Sequence, residues 1–116
     1  MKKFLKVLVV FGLVGGVAVL AGTQVAITGK KIRGVPGRNA EVICQPVTLP
    51  RAGTIVDAAS GGDGFWIEDT LGVVNEFRDP RQALGVVLPA GGPYRVIPFL
   101  KKDQDIASAY ITVRLP

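Results

Sequence analysis

The sequence predicts a mainly β protein, with an N-terminal transmembrane helix followed by a small antiparallel β-sandwich of Ig-like or jelly-roll type. Three observations predict it. Val7 to Gly29 carry no charge. Beyond Asn39, short runs rich in Val, Ile, Thr and aromatics alternate with Gly, Pro and Asp, which is the punctuation of strands and turns. The run "IASAYITVRL" (106–115) alternates cleanly: Ala109, Ile111, Val113 and Leu115 share one side, Ser108, Tyr110, Thr112 and Arg114 the other. Period-two alternation of this kind suits a strand with one face on a core.

The first element, residues 1–29, reads as a membrane span. At about 1.5 Å per residue its uncharged part covers roughly 34 Å, against a hydrocarbon thickness of about 30 Å. Lys2, Lys3 and Lys6 lie before it; Lys30, Lys31 and Arg33 follow it, where their stems reach the headgroups. Gly12 and Gly16 form a G-xxx-G pair, and Ala18, Gly22 and Ala26 continue a small-xxx-small row on another face. Small residues of this spacing let helix backbones approach in lipid. The alternative is a signal peptide, residues 1–21, with basic "MKKFLK", an apolar core to Leu20 and cleavage after Ala21. Apolar residues continue past that site at Val25, Ala26 and Ile27, which favours the span. The charges flanking it nearly balance, and the short basic N-terminus gives a lean toward an extracytoplasmic C-terminal domain.

Residues 30–38 read as a basic Gly/Pro linker and residues 39–116 as the β-domain. "EVICQPVTL" (41–49) is interrupted by Pro46, which suggests an edge or a bulge. "TIVDAA" (54–59), "FWIEDT" (65–70), "VVNEFR" (73–78), "VVLP" (86–89) and "YRVIPFL" (94–100) complete the set before the last strand. "YRVIPFL" is apolar on both faces, and a cover supplied by another subunit is the expectation there. Such a small domain buries only roughly 60% of its unfolded surface, and it has no disulfide to compensate.

Charge and composition remove several functions. The formal charge of +5 is uneven: half of the fourteen Lys and Arg precede residue 39, and all nine acids follow it. The β-domain is therefore slightly acidic, which argues against a nucleic-acid groove. There is no histidine, so Ser-His-Asp and Cys-His devices are excluded. Cys44 is single and reads as a small core residue beside Val42. Asp57, Asp63, Glu68 and Asp69 crowd the turn "SGGDG", but their spacing matches no calcium loop. The glycine pairs lack the ending of a phosphate loop, and Tyr94 and Tyr110 read as ordinary strand residues. No catalytic residue, cofactor or metal ligand is expected. If Phe65 and Ile67 face the core, Trp66 faces outward, where Trp anchors interfaces. Trp66, Ile97 and Phe99 are thus the expected partner-binding residues.

The functional expectation is a non-enzymatic, membrane-anchored structural subunit of an assembly such as an envelope complex, a surface appendage or a membrane-containing phage virion. Its partners would be other protein subunits, copies of itself and the lipid bilayer, with no small-molecule substrate. The alternative is an exported β-sandwich module that binds carbohydrate or a protein ligand.

Overall fold

The computed structural model describes residues 23–116. Nine strands form two antiparallel sheets: β1 (Gln24–Ile32), β2 (Glu41–Cys44), β3 (Val47–Leu49), β4 (Gly53–Ser60), β5 (Phe65–Asp69), β6 (Gly72–Phe77), β7 (Val87–Leu88), β8 (Gly91–Pro98) and β9 (Ile106–Arg114). A short 3-10 turn, Pro80–Ala83, precedes β7. One sheet runs β2-β1-β9-β4-β7 and the other β3-β8-β5-β6. The inward side chains meet between them: Val25, Ile27, Ile55, Leu88, Ala109, Ile111 and Val113 from the first; Leu49, Phe65, Ile67, Phe77, Tyr94 and Val96 from the second. The Phe65 and Phe77 rings pack at 5.6 Å and 52°, within the range of favourable tilted aromatic pairs.

The first correction concerns the N-terminal element. A helix continuing to Gly29 is not what the chain forms, because Gln24–Ile32 is an interior strand of the larger sheet, between β2 and β9. Val25 and Ile27 point inward while Gln24, Ala26 and Thr28 point to solvent. The strand period is hidden because its outward residues before Lys30 carry no charge. Ala26 therefore sits on an exposed sheet position rather than a helix-packing face. Gly12, Gly16, Ala18, Gly22, Lys2, Lys3 and Lys6 lie outside the described residues. Among the described residues, no helix is long and apolar enough to cross a membrane.

The second correction follows from the first. Residues 30–38 do not join two bodies. Lys30–Ile32 finish β1, and the rest turns the chain into β2 through a bridge between Val35 and Arg38. Gly37 supplies the turn with a φ of +83°, a region that side chains avoid. Arg33 is tied down rather than reaching outward. Its guanidinium donates to the carbonyls of Gln104, Lys101 and Lys102, which fastens the loop after β8 to the end of β1.

Pro46 ends β2, as its missing N–H requires, and the chain changes sheet there: β2 pairs with β1, while β3 pairs with β8. The two sheets meet closely where β1 crosses β8. A Cβ on Gly29 would lie 1.6 Å from the Val96 carbonyl oxygen, so this crossing admits no side chain. β9 has the alternation its sequence announces, with Ala107, Ala109, Ile111 and Val113 buried between exposed neighbours.

Candidate functional site

Antiparallel partners share a face, so the registers define what each sheet shows to solvent. On the larger sheet, Ile43, Lys30 and Ser108 form one cross-strand row, and Thr28, Tyr110 and Ala59 form the next. Thr112 and Asp57 lie one row further. Most of these side chains are small. They leave a shallow groove of about 580 Å³, whose lining includes these two rows. That volume falls in the range of small-ligand sites, which run from about 300 to 1,000 Å³.

The groove has distinct ends. Tyr110 stands in its lining, 37% exposed, and its hydroxyl donates to Asp57 Oδ2 at 3.1 Å. That hydrogen bond to a carboxylate is the main cause of an upward shift in the Tyr110 phenol, with the charge of Asp57 second. Asp57 Oδ1 accepts the Ala58 N–H, so the carboxylate is held from both sides. At the other end are Lys30 and the 53%-exposed Ile43. Gly61 closes that end, held by its N–H to the Ser108 carbonyl and by the Gln104 side-chain amide on its own carbonyl.

The smaller sheet's outer face is built differently. Trp66 is opposite Ile97, and Glu68 is opposite Arg95. Trp66 packs on Phe99 at 4.7 Å between centroids. Lys31 Nζ lies 5.0 Å above the Trp66 ring, and the Arg78 guanidinium lies 3.7 Å above Phe99. Cation, two rings and cation thus form one stack, each contact within cation–π range. The Trp66 indole N–H donates to Glu68 Oε2 at 3.0 Å, and Arg95 Nη1 donates to Glu68 Oε1 at 2.6 Å.

This arrangement relocates the residues expected to bind a partner. Ile97 is 2% exposed within the single chain, so it offers no docking surface, and that expectation is corrected. Trp66 and Phe99 are half-buried against each other. Lys31 belongs to the same stack, and Lys30 lines the groove on the opposite side of β1, so the adjacent lysines serve different faces.

The acids expected to crowd one turn are divided. Asp57 belongs to Tyr110, Glu68 to Trp66 and Arg95, and Asp69 caps the hairpin by accepting the Leu71 N–H. No group of three His, Cys, Asp or Glu able to hold a metal occurs among the described residues. The Cys44 thiol donates to the Thr28 carbonyl at 3.0 Å. Sequence reading did not find Tyr110 and Lys30 as groove residues. The one available signal was the polar face of the last strand, where Tyr110 is the only ring. No protein-family model matches the chain, and no curated protein or solved structure shows significant similarity to it.

Proposed function

We propose that the chain is an exported β-sandwich binding module of jelly-roll type, freed from residues 1–21 by cleavage after Ala21, with its ligand in the groove around Tyr110. The observation that carries this reading is β1. Since Gln24–Ile32 is spent on the sheet and Thr23 is buried with its carbonyl bonded to Leu115, the uncharged residues left before them are 7–22. At helical rise they would cover about 24 Å, short of a hydrocarbon core of about 30 Å, whereas their length suits the apolar core of a signal peptide and its cleavage site. A cut after Ala21 also keeps Thr23, whose carbonyl accepts the Leu115 N–H.

Strand pairing supports the jelly-roll form over the Ig-like one. The pairs β1–β9, β3–β8, β4–β7 and β5–β6 nest inside one another, as in a long hairpin rolled into two sheets. Lectin domains and viral capsid subunits both use this architecture, and function is decided by the site rather than the fold. The intact mass of protein recovered from its producing cells tests the reading. A chain beginning at Gly22 in the soluble exported fraction is expected. A chain that keeps Met1 and stays in the membrane through alkaline carbonate would overturn it.

A second reading, a structural subunit, has one observation in its favour. At the tip of the β5–β6 hairpin Leu71 is 95% exposed, with Val73 and Val74 beside it on an outer strand. Copurification with a particle in fixed ratio would support that reading, and a monodisperse monomer would end it.

A further inference from the structure

We infer that the groove binds an acidic oligosaccharide, with a uronate ring lying against Tyr110 and its carboxylate on Lys30; this rests on the binding-module reading above. The polar groups of the groove are arranged in sequence along it. Lys30 is exposed at one end, and the structure shows no ion pair to it from the described acids. Hydroxyls of Thr28 and Ser108 follow on neighbouring strands. The Tyr110 ring stands next, and Asp57 lies beyond it, its position set by the tyrosine hydroxyl and the Ala58 N–H. The floor between them is largely apolar, from Ile43, Ala59 and the ring itself.

A ligand that fits this pattern is flat and apolar on one face, bears hydroxyls around its edge, and has a negative group at one end. A pyranose ring presents an apolar face of C–H groups, which lies against an aromatic ring. Its hydroxyls match short hydroxyl and carboxylate side chains, and a C6 carboxylate supplies the charge that Lys30 lacks. A fully apolar ligand would leave Lys30 and the hydroxyls without partners, which is costly once they are covered. A phosphate-rich polymer would need a row of cations along the groove, and the lining provides one. The volume lies within the usual range of small-ligand sites.

The loop at the Lys30 end is balanced in charge and held in place. Lys101 and Lys102 sit on it, with Asp103 and Asp105 in the same segment. Arg33 and Gln104 lock that loop to β1 and to Gly61, so a carboxylate arriving at Lys30 meets a pre-set surface. Asp105 is drawn to Arg33 at 3.7 Å.

The test is calorimetric titration of the protein, in whatever processed form the cells yield, with trigalacturonic acid and with its neutral methyl ester. The acid is expected to bind and the ester to bind at least about tenfold more weakly, the loss expected for one charge-assisted hydrogen bond. K30Q should remove that preference while leaving the weak binding of the ester, and Y110A should abolish both. K102Q, outside the groove lining, should change the acid's affinity by less than about threefold, as a rim charge does. Equal binding of acid and ester, or an unchanged K30Q, would overturn the acidic specificity and leave a neutral-sugar module standing. Failure of both sugars to bind the folded protein would overturn the saccharide assignment altogether. The mass measurement above decides export independently of either result.

Discussion

The outer faces of the two sheets solve the same problem in opposite ways. On the smaller sheet, large side chains cover each other: Lys31, Trp66, Phe99 and Arg78 stack, and Glu68 ties the indole to Arg95. On the larger sheet, Ala26, Thr28, Ala59, Ser108 and Thr112 leave the surface open around one tyrosine. A face whose side chains satisfy one another contributes stability and has little left for a ligand. A face of short side chains contributes little stability and leaves room. Trp66, the residue with the strongest sequence claim to a partner, is thus part of the chain's own packing, and Tyr110 takes the exposed place.

Both faces depend on the crossing of β1 and β8, so the largest effect is expected there. Gly29→Ala places a methyl group against the Val96 carbonyl. The obstacle is backbone, with no flexible side chain to yield, and overpacking of this kind costs about 3 kcal/mol or more. Urea unfolding of the variant should show that loss, together with a weakened Lys31–Trp66 contact seen as a change in tryptophan fluorescence. A Gly29→Ala protein as stable as the parent would mean that the crossing is looser than described and that the two faces are not set by it.

The contrast between the faces is sharpened by removing one ring from each. Trp66→Ala takes away the centre of the cation–aromatic stack and the indole bond to Glu68. A half-buried ring with these partners is worth about 2–3 kcal/mol. Tyr110→Ala, on the open face, should cost under about 1 kcal/mol. Thermal unfolding of the two variants under one condition gives the comparison directly. Equal costs, or a larger one at Tyr110, would show that the open face is structural and would remove the reason for treating it as a site.

The legible part of this molecule is the part where hydrophobic period and turn residues agree. From Glu41 onward most strands fall where a short β-rich run ends in Gly, Pro or Asp, and Pro46 marks the step from one sheet to the other, whereas β8 starts at Gly91, three residues ahead of the run "YRVIPFL". β1 was not legible because Val25 and Ile27 follow directly on a longer uncharged stretch. With Gln24, Ala26 and Thr28 alternating around them, no charge marks the solvent face before Lys30, and a length criterion claims residues that belong to the sheet. Ile97 failed for another reason. "YRVIPFL" is apolar on both sides, which suggests a surface awaiting a second subunit, whereas Ile97 is already 2% exposed within the single chain. The groove is non-local. Lys30, Ile43, Ala59, Ser108 and Tyr110 meet only through the pairing of β2, β1, β9 and β4, and no local pattern in any one strand announces that meeting.

A smaller effect separates the two exposed-face chemistries from the core tyrosine. Tyr94 is buried, and its hydroxyl donates to the Pro89 carbonyl at 2.7 Å. Burial, and secondarily the charge of Asp69, push its phenol above the ordinary value of 10.0. A raised folded-state value means that the native protein holds this proton more tightly than the unfolded chain does. The resulting stability is whole below about pH 10 and drains away as the pH climbs through the unfolded value toward the native one. Tyr110 is shifted the same way by Asp57, but it stands in solvent, where the interaction is screened and its ionisation costs the fold little. Stability measured by urea from pH 8 to pH 11 should therefore fall above pH 10 in the parent and in Tyr110→Phe alike. Tyr94→Phe should start lower, having lost its bond to Pro89, and then decline less steeply over the same interval. If Tyr110→Phe flattens the alkaline decline and Tyr94→Phe does not, the open face holds its tyrosine as firmly as the core does, and the division between a self-satisfied sheet and an available one fails.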